Sequence, residues 1–144
     1  MPSMLHFLAH ALFTICCLVQ VGSGRLPEFY HSTSAISAEL ENLEETCPGL
    51  FVEREPIDSQ HFIDVVSLSR SENPVSHFFL LAGEHARELI TAESALHFLK
   101  VLCGEEPALR KKAEAALADT SFTVIVNGNP ISRAKVENGD FCVS

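Results

Sequence analysis

The run HFFLLAG, His77 to Gly83, constrains this chain more than any other stretch. It is continuously apolar and ends in glycine, the pattern of a strand covered on both faces. Directly behind it come four ionisable residues, Glu84, His85, Arg87 and Glu88. Leu89, Ala92, Leu96, Leu99, Leu102 and Cys103 then recur at helical spacing, with Gly104 placed to cap the C-terminus. A buried strand that feeds a helix through a charged turn belongs in an α/β sheet, and the rest of the chain agrees.

HSTSAISAELENLEETCPG (residues 31–49) predicts a helix. Ser34 or Ser32 can cap it, Ile36, Leu40 and Leu43 share one face, and Pro48-Gly49 stops it. HFIDVVSLS (61–69) alternates as a strand, and SENP turns the chain. PALRKKAEAALADT (107–120) predicts a second helix with Pro107 in its first turn and the Arg110–Lys112 run on a solvated face. SFTVIVNGNP is β-branched and bounded by turn residues, as a buried strand would be. The order is helix, strand, strand, helix, helix, strand, hence an α/β fold with helices packed on a mixed β-sheet. ISRAKVENGDFCVS (131–144) is polar and turn-rich with no clear closing element, so the chain reads as stopping in mid-domain.

Charge and cysteine content bound the partners. A net charge of −9 with no Lys/Arg-rich run argues against nucleic acid. The first 24 residues carry no charged side chain, and MLHFLAHALFTICCLVQV followed by VGSG predicts a secretory signal peptide over 1–24. The alternative is an uncleaved anchor, for which Met4 to Val21 is marginal in length. The mature chain would lie in the secretory lumen or outside the cell, with no membrane attachment after cleavage. It would keep Cys47, Cys103 and Cys142, an odd count for an oxidising compartment. Cys103 falls on the apolar helix face, where a core role is expected, and Cys142 could pair with either of the others or outside the chain. No CxxC is present, which excludes a zinc knuckle of that type.

His85 and Glu88, two residues apart on a turn into a helix, can point the same way. An imidazole nitrogen with a carboxylate oxygen is a ligand pair that zinc accepts. A capped helix start with acidic residues near the dipole reads the same letters without a metal. His61, His77 and His97 have no neighbouring ligand spacing and are expected on strand edges or a helix face.

GEHARELITAESALHFLKVLCGE closely resembles the first metal-binding segment of the zinc metallocarboxypeptidases, which write Gly-x-His-x-Arg-Glu at the end of a sheet strand. Gly83, His85, Arg87 and Glu88 match. Downstream, NGNPISRAKVENGDFC resembles the family's Asn-Pro-x-Gly-Arg segment: Asn129, Pro130 and Arg133 match, and Ser132 stands where the family usually has glycine. The resemblance implies one Zn2+ ion held by His85 and Glu88, with Arg87 steadying a peptide near its scissile carbonyl. The implied activity is hydrolytic release of C-terminal residues from peptides or proteins; Glu84 has no implied role.

The resemblance covers about residues 30–142, the first part of such a catalytic domain. The family's third zinc ligand is a later His, whereas the last of seven here is His97, and Glu137 precedes the segments that carry the general base. Residues 25–144 are therefore expected to be inactive alone, with a strand left as an open, apolar sheet edge. A non-catalytic secreted module that binds peptide or zinc, or an unstable fragment, are the alternatives.

Overall fold

A computed structural model describes residues 26–143, so the expected signal peptide with Cys16 and Cys17 lies outside the described residues. The chain runs α1 (Thr33–Thr46), β1 (Leu50–Pro56), β2 (Phe62–Leu68), β3 (Ser76–Leu81), α2 (Leu89–Cys103), α3 (Arg110–Leu117), β4 (Thr120–Ile125) and α4 (Pro130–Glu137). Four strands form one mixed sheet in the order β1-β2-β4-β3. β1 with β2 and β2 with β4 are antiparallel, and β3 with β4 is parallel across the α2–α3 connection.

Register explains the core. One face carries the rows Leu50–Leu68–Phe122–Phe78 and Val52–Val66–Val124–Leu80. Against these pack Ile36, Leu40 and Leu43 of α1, Ala92, Leu96 and Leu99 of α2, and Ala113 and Leu117 of α3. α1 begins as expected, with Ser32 at the N-cap accepting a hydrogen bond from the Ala35 N–H at 3.1 Å. Gly104 takes φ +89° behind α2, a left-handed cap that a residue with a Cβ adopts at a cost. The opposite face holds the rows Phe51–Ser67–Thr123–Phe79 and Glu53–Val65–Ile125–Leu81. No described helix contributes to a core there, and Phe51 is 64% and Phe79 57% exposed.

This corrects the reading of His77–Gly83 as a strand covered on both faces. Among the described residues β3 is bonded to β4 alone and helix-covered on one side only, so Phe79 and Leu81 on the open face stay exposed, while Phe78 on the covered face is still 44% exposed. An apolar run encodes what a strand can bury, not how many neighbours it has.

Other departures are local. β1 was not legible, because of its residues only Leu50 is buried and it owes its extension to pairing with β2. Residues 130–137 form a helix where a turn-rich tail was expected. α3 starts at Arg110, which leaves Pro107 in the turn before it, and Arg110 to Lys112 are exposed as predicted. Cys103 is not a plain core residue: it bonds to Cys47, with a Cα–Cα distance of 5.3 Å. Cys142 is exposed. In the β1–β2 turn, the N–H groups of Gln60 and His61 donate to Asp58 at 2.8 and 2.9 Å. The Gln60 N–H and the His61 side chain hold that carboxyl below its ordinary range. No helix among the described residues is long and apolar enough to cross a membrane.

Candidate metal centre

Parallel pairing brings the C-terminal ends of β3 and β4 to one edge of the sheet, so the segments that follow them meet. Two glycines let them approach. Gly83 has φ +62°, and a Cβ on it would lie 3.1 Å from both Val126 O and Asn127 Cα. A Cβ on Gly128 would lie 2.9 Å from Leu81 Cδ1. The Gly128 N–H donates to Ala82 O at 2.9 Å, and Asn129 Nδ2 donates to Glu84 O at 3.3 Å. Gly83→Ala is expected to cost about 1–3 kcal/mol, since it forces a Cβ into left-handed backbone and against a carbonyl. A lowered urea midpoint with an unchanged slope would register it.

The turn after Gly83 is fastened at each end. Gly83 N–H donates to Thr91 Oγ1 at 3.1 Å, and that hydroxyl donates to Glu88 O at 2.7 Å. Glu88 is the N-cap of α2, yet its carboxylate makes no cap bond. It turns to His85 instead: Nδ1 lies 3.0 Å from Glu88 Oε1, with side-chain exposures of 68% and 46%. Tetrahedral zinc with ligand bonds near 2.0–2.1 Å needs an N···O spacing of about 3.3 Å. The pair is within a few tenths of that, and its donor types fit the ion. Among the described residues no group of three His, Cys, Asp or Glu side chains could hold a metal, so the pair has no third ligand there.

Arg87 is exposed at the same turn, and its Nη1 donates to Phe141 O at 3.3 Å. Glu84 contributes its main-chain oxygen to Asn129. Asn129 caps α4 by accepting from the Ser132 N–H at 3.1 Å, and Pro130 follows in the first turn. Ser132 thus occupies helix, where glycine is not required. The other histidines lie elsewhere: His77 on a strand and His97 on a helix face as expected, His61 in a turn and not on the strand. His61 pairs with Asp58 in the β1–β2 turn, His77 bonds Ser121 and Thr123 on the open sheet face, and His97 is exposed on α2.

A buried polar cluster behind the site was missed by sequence reasoning. Arg133, 2% exposed, donates from Nε to Glu137 Oε1 at 3.1 Å and from Nη2 to His31 O at 2.8 Å. Glu93 lies 3.8 Å from the same guanidinium, and its carboxylate meets His31 N and Nδ1 at 2.7 Å each. Glu137 also accepts from Thr33 N and Oγ1 at 2.7 and 2.8 Å. The spacing of Arg133 and Glu137 on one helix is a readable signal; their partners His31 and Thr33, 102 and 104 residues away, are not. Glu137 is therefore a tie between α4 and the start of α1.

No protein-family model matches the sequence, and no curated protein matches it. Solved structures do match. Thrombin activatable fibrinolysis inhibitor superposes with a TM-score of 0.62 at 24% identity, over 73% of this chain and 27% of that one. A metallo-carboxypeptidase from Burkholderia cenocepacia gives a TM-score of 0.67 at 18% identity, over 76% and 30%. One from Pseudomonas aeruginosa gives 0.55 at 14%, over 70% and 26%. The fold is that of the metallocarboxypeptidases. The chain spans about a quarter to a third of the length of these structures. Within this carboxypeptidase fold, the resemblance read from Gly83 to Arg133 and the strand-end position of His85 and Glu88 coincide.

Proposed function

We propose that this chain is a portion of a secreted zinc metallocarboxypeptidase catalytic domain. His85 and Glu88 would supply two of the protein ligands to one Zn2+ ion. The observation that carries the reading is the 3.0 Å approach of His85 Nδ1 to Glu88 Oε1 at the end of β3, in a fold shared with metallocarboxypeptidases. Bound zinc supplies Lewis acidity toward a peptide carbonyl. The chain's own residues would hold and orient: His85 and Glu88 would ligate together, and Arg87 on the same turn would offer a cation where oxyanion charge develops. A peptide C-terminus is the substrate class. The Cys47–Cys103 disulfide and the apolar first 24 residues support a secretory location.

A site with two protein ligands and no positioned base binds metal without turnover. The 144-residue chain alone is therefore expected to take up zinc weakly and to release no C-terminal residues. Calorimetric zinc titration of the purified chain tests this. His85→Ala and Glu88→Gln should each weaken binding at least tenfold, and Cys142→Ser should leave it unchanged. Equal zinc affinity in wild type and both site variants would remove the reading.

A further inference from the structure

Between the end of β3 and the start of α2 the chain must turn while bringing two exposed side chains, His85 and Glu88, together. Sheet pairing does little to hold that turn. The last β3–β4 pair is Leu81 with Ile125, and the Ala82 N–H donates to Ile125 O. The next N–H, on buried Gly83, donates instead to Thr91 Oγ1 at 3.1 Å. Thr91 in turn gives two bonds to a single atom. Its hydroxyl donates to Glu88 O at 2.7 Å and its N–H to the same oxygen at 3.2 Å. Helical threonine and serine often bond a carbonyl three or four residues back. Ser94 on the same helix makes only that bond among the described residues, from Oγ to Ile90 O at 2.8 Å. The Thr91 hydroxyl does more, because it also reaches back to the end of the strand.

We infer that Thr91 is a positioning residue for the metal pair, its hydroxyl fixing the Glu88 main chain so that the carboxylate meets His85. This rests on His85 and Glu88 being the zinc ligands proposed above. An N-cap side chain ordinarily accepts from the first N–H groups of its helix, and Glu88 stands at the N-cap of α2. Its carboxylate makes no such bond and lies 3.0 Å from His85 Nδ1. An exposed carboxylate is directed less by packing than by the backbone that carries it. Thr91 sets that backbone through both of its bonds to the Glu88 carbonyl. The Gly83 N–H sets the hydroxyl: it takes an oxygen lone pair, which leaves the hydroxyl proton for Glu88 O. The His85 side belongs to the same frame. Its carbonyl accepts from the Glu88 N–H at 3.0 Å, and Ala86, 2% exposed, seats the turn between them. Groups that orient metal ligands in this way typically govern affinity by about 10- to 100-fold.

Calorimetric titration of the 144-residue chain with zinc chloride is the first test. Thr91→Val keeps the shape and loses the hydroxyl, and it should weaken zinc binding about tenfold or more. Thr91→Ser restores the hydroxyl and should restore the affinity, and Ser94→Ala should leave it unchanged. A merely structural role would lower the thermal midpoint of the valine variant and leave the zinc affinity of the folded chain where it was. That result overturns the proposal, as does a serine variant that binds no better than the valine one. The second test needs no variant to fold. Coupling is reciprocal, so saturating zinc should slow hydrogen exchange of the wild-type Gly83 amide about tenfold. The Ser69 N–H, bonded to Gly49 O just past β2, should keep its rate. A Gly83 amide that is unprotected, or that exchanges equally with and without zinc, overturns the proposal. If His85→Ala and Glu88→Gln lose zinc while Thr91→Val does not, the metal reading stands and the role of Thr91 falls. If the two ligand variants bind zinc as the wild type does, both fall.

Discussion

Replacing Arg133 with Met lowers the stability of the chain by about 3–5 kcal/mol, the largest loss expected from any single side chain here. Arg133 is 2% exposed and is the cation between Glu137 and Glu93, whose side chains are only 14% and 16% exposed. Methionine fills much of the volume but removes the cation that Glu93 and Glu137 share, leaving Glu93 with His31 and Glu137 with Thr33. Half-buried carboxylates that lose their cation are costly to keep out of water, which opposes folding. The guanidinium also holds His31 O, so the segment that enters α1 loses an anchor along with the charge. Denaturant unfolding should show a lower midpoint at pH 7. Arg133→Lys retains the charge without the planar fork and should recover part of the loss. An Arg133→Met chain as stable as the wild type would mean that the cluster is solvated and contributes nothing net.

The second large effect is expected at the disulfide. Cys47 and Cys103 are 56 residues apart, and Cys47 is 3% exposed. Closing a loop of that length removes unfolded-state entropy worth about 4 kcal/mol in the chain-entropy treatment. The bridge joins the C-terminal ends of α1 and α2, which both pack on the helix-covered sheet face. Cys47→Ala combined with Cys103→Ala should therefore lower stability by about 2–5 kcal/mol, part of it from lost burial at Cys47. Under reducing conditions the wild type should fall to nearly the same stability as the double variant. If reduction left the melting curve of the wild type unmoved, the pair would not be bonded in solution.

Elements that advertise themselves through local physics were legible. Ile36, Leu40 and Leu43 mark the inner face of α1, and Gly104 marks the end of α2. Phe122 and Val124 identify β4 as a strand facing the core. The two missed elements lack such a pattern for reasons that can be stated. β1 carries charge over much of its length, so no apolar alternation announces it; hydrogen bonding to β2 keeps it extended. α4 buries Pro130, Arg133 and Val136, a helical stripe whose middle member is a charged residue. Periodicity read from apolar letters alone passes over that helix. Its Asn129 cap and its proline in the first turn were the signals available.

The candidate site divides in the same way. His85 and Glu88 lie within one turn of chain, so sequence spacing nearly dictates their meeting, and the structure has only to choose rotamers. Sequence by itself determined the α/β character, the end of α2 at Gly104, and the proximity of His85 and Glu88 behind an apolar strand. Tertiary structure alone decided that Ser32 and not Ser34 caps α1, that Cys103 bonds Cys47, and that Arg133 meets His31 102 residues away. The physical reason is range. Caps, helical stripes and short spacings act between residues that the backbone already holds near one another. A distant partner is chosen only when helices settle on the sheet and fix which faces, and which buried charges, come together.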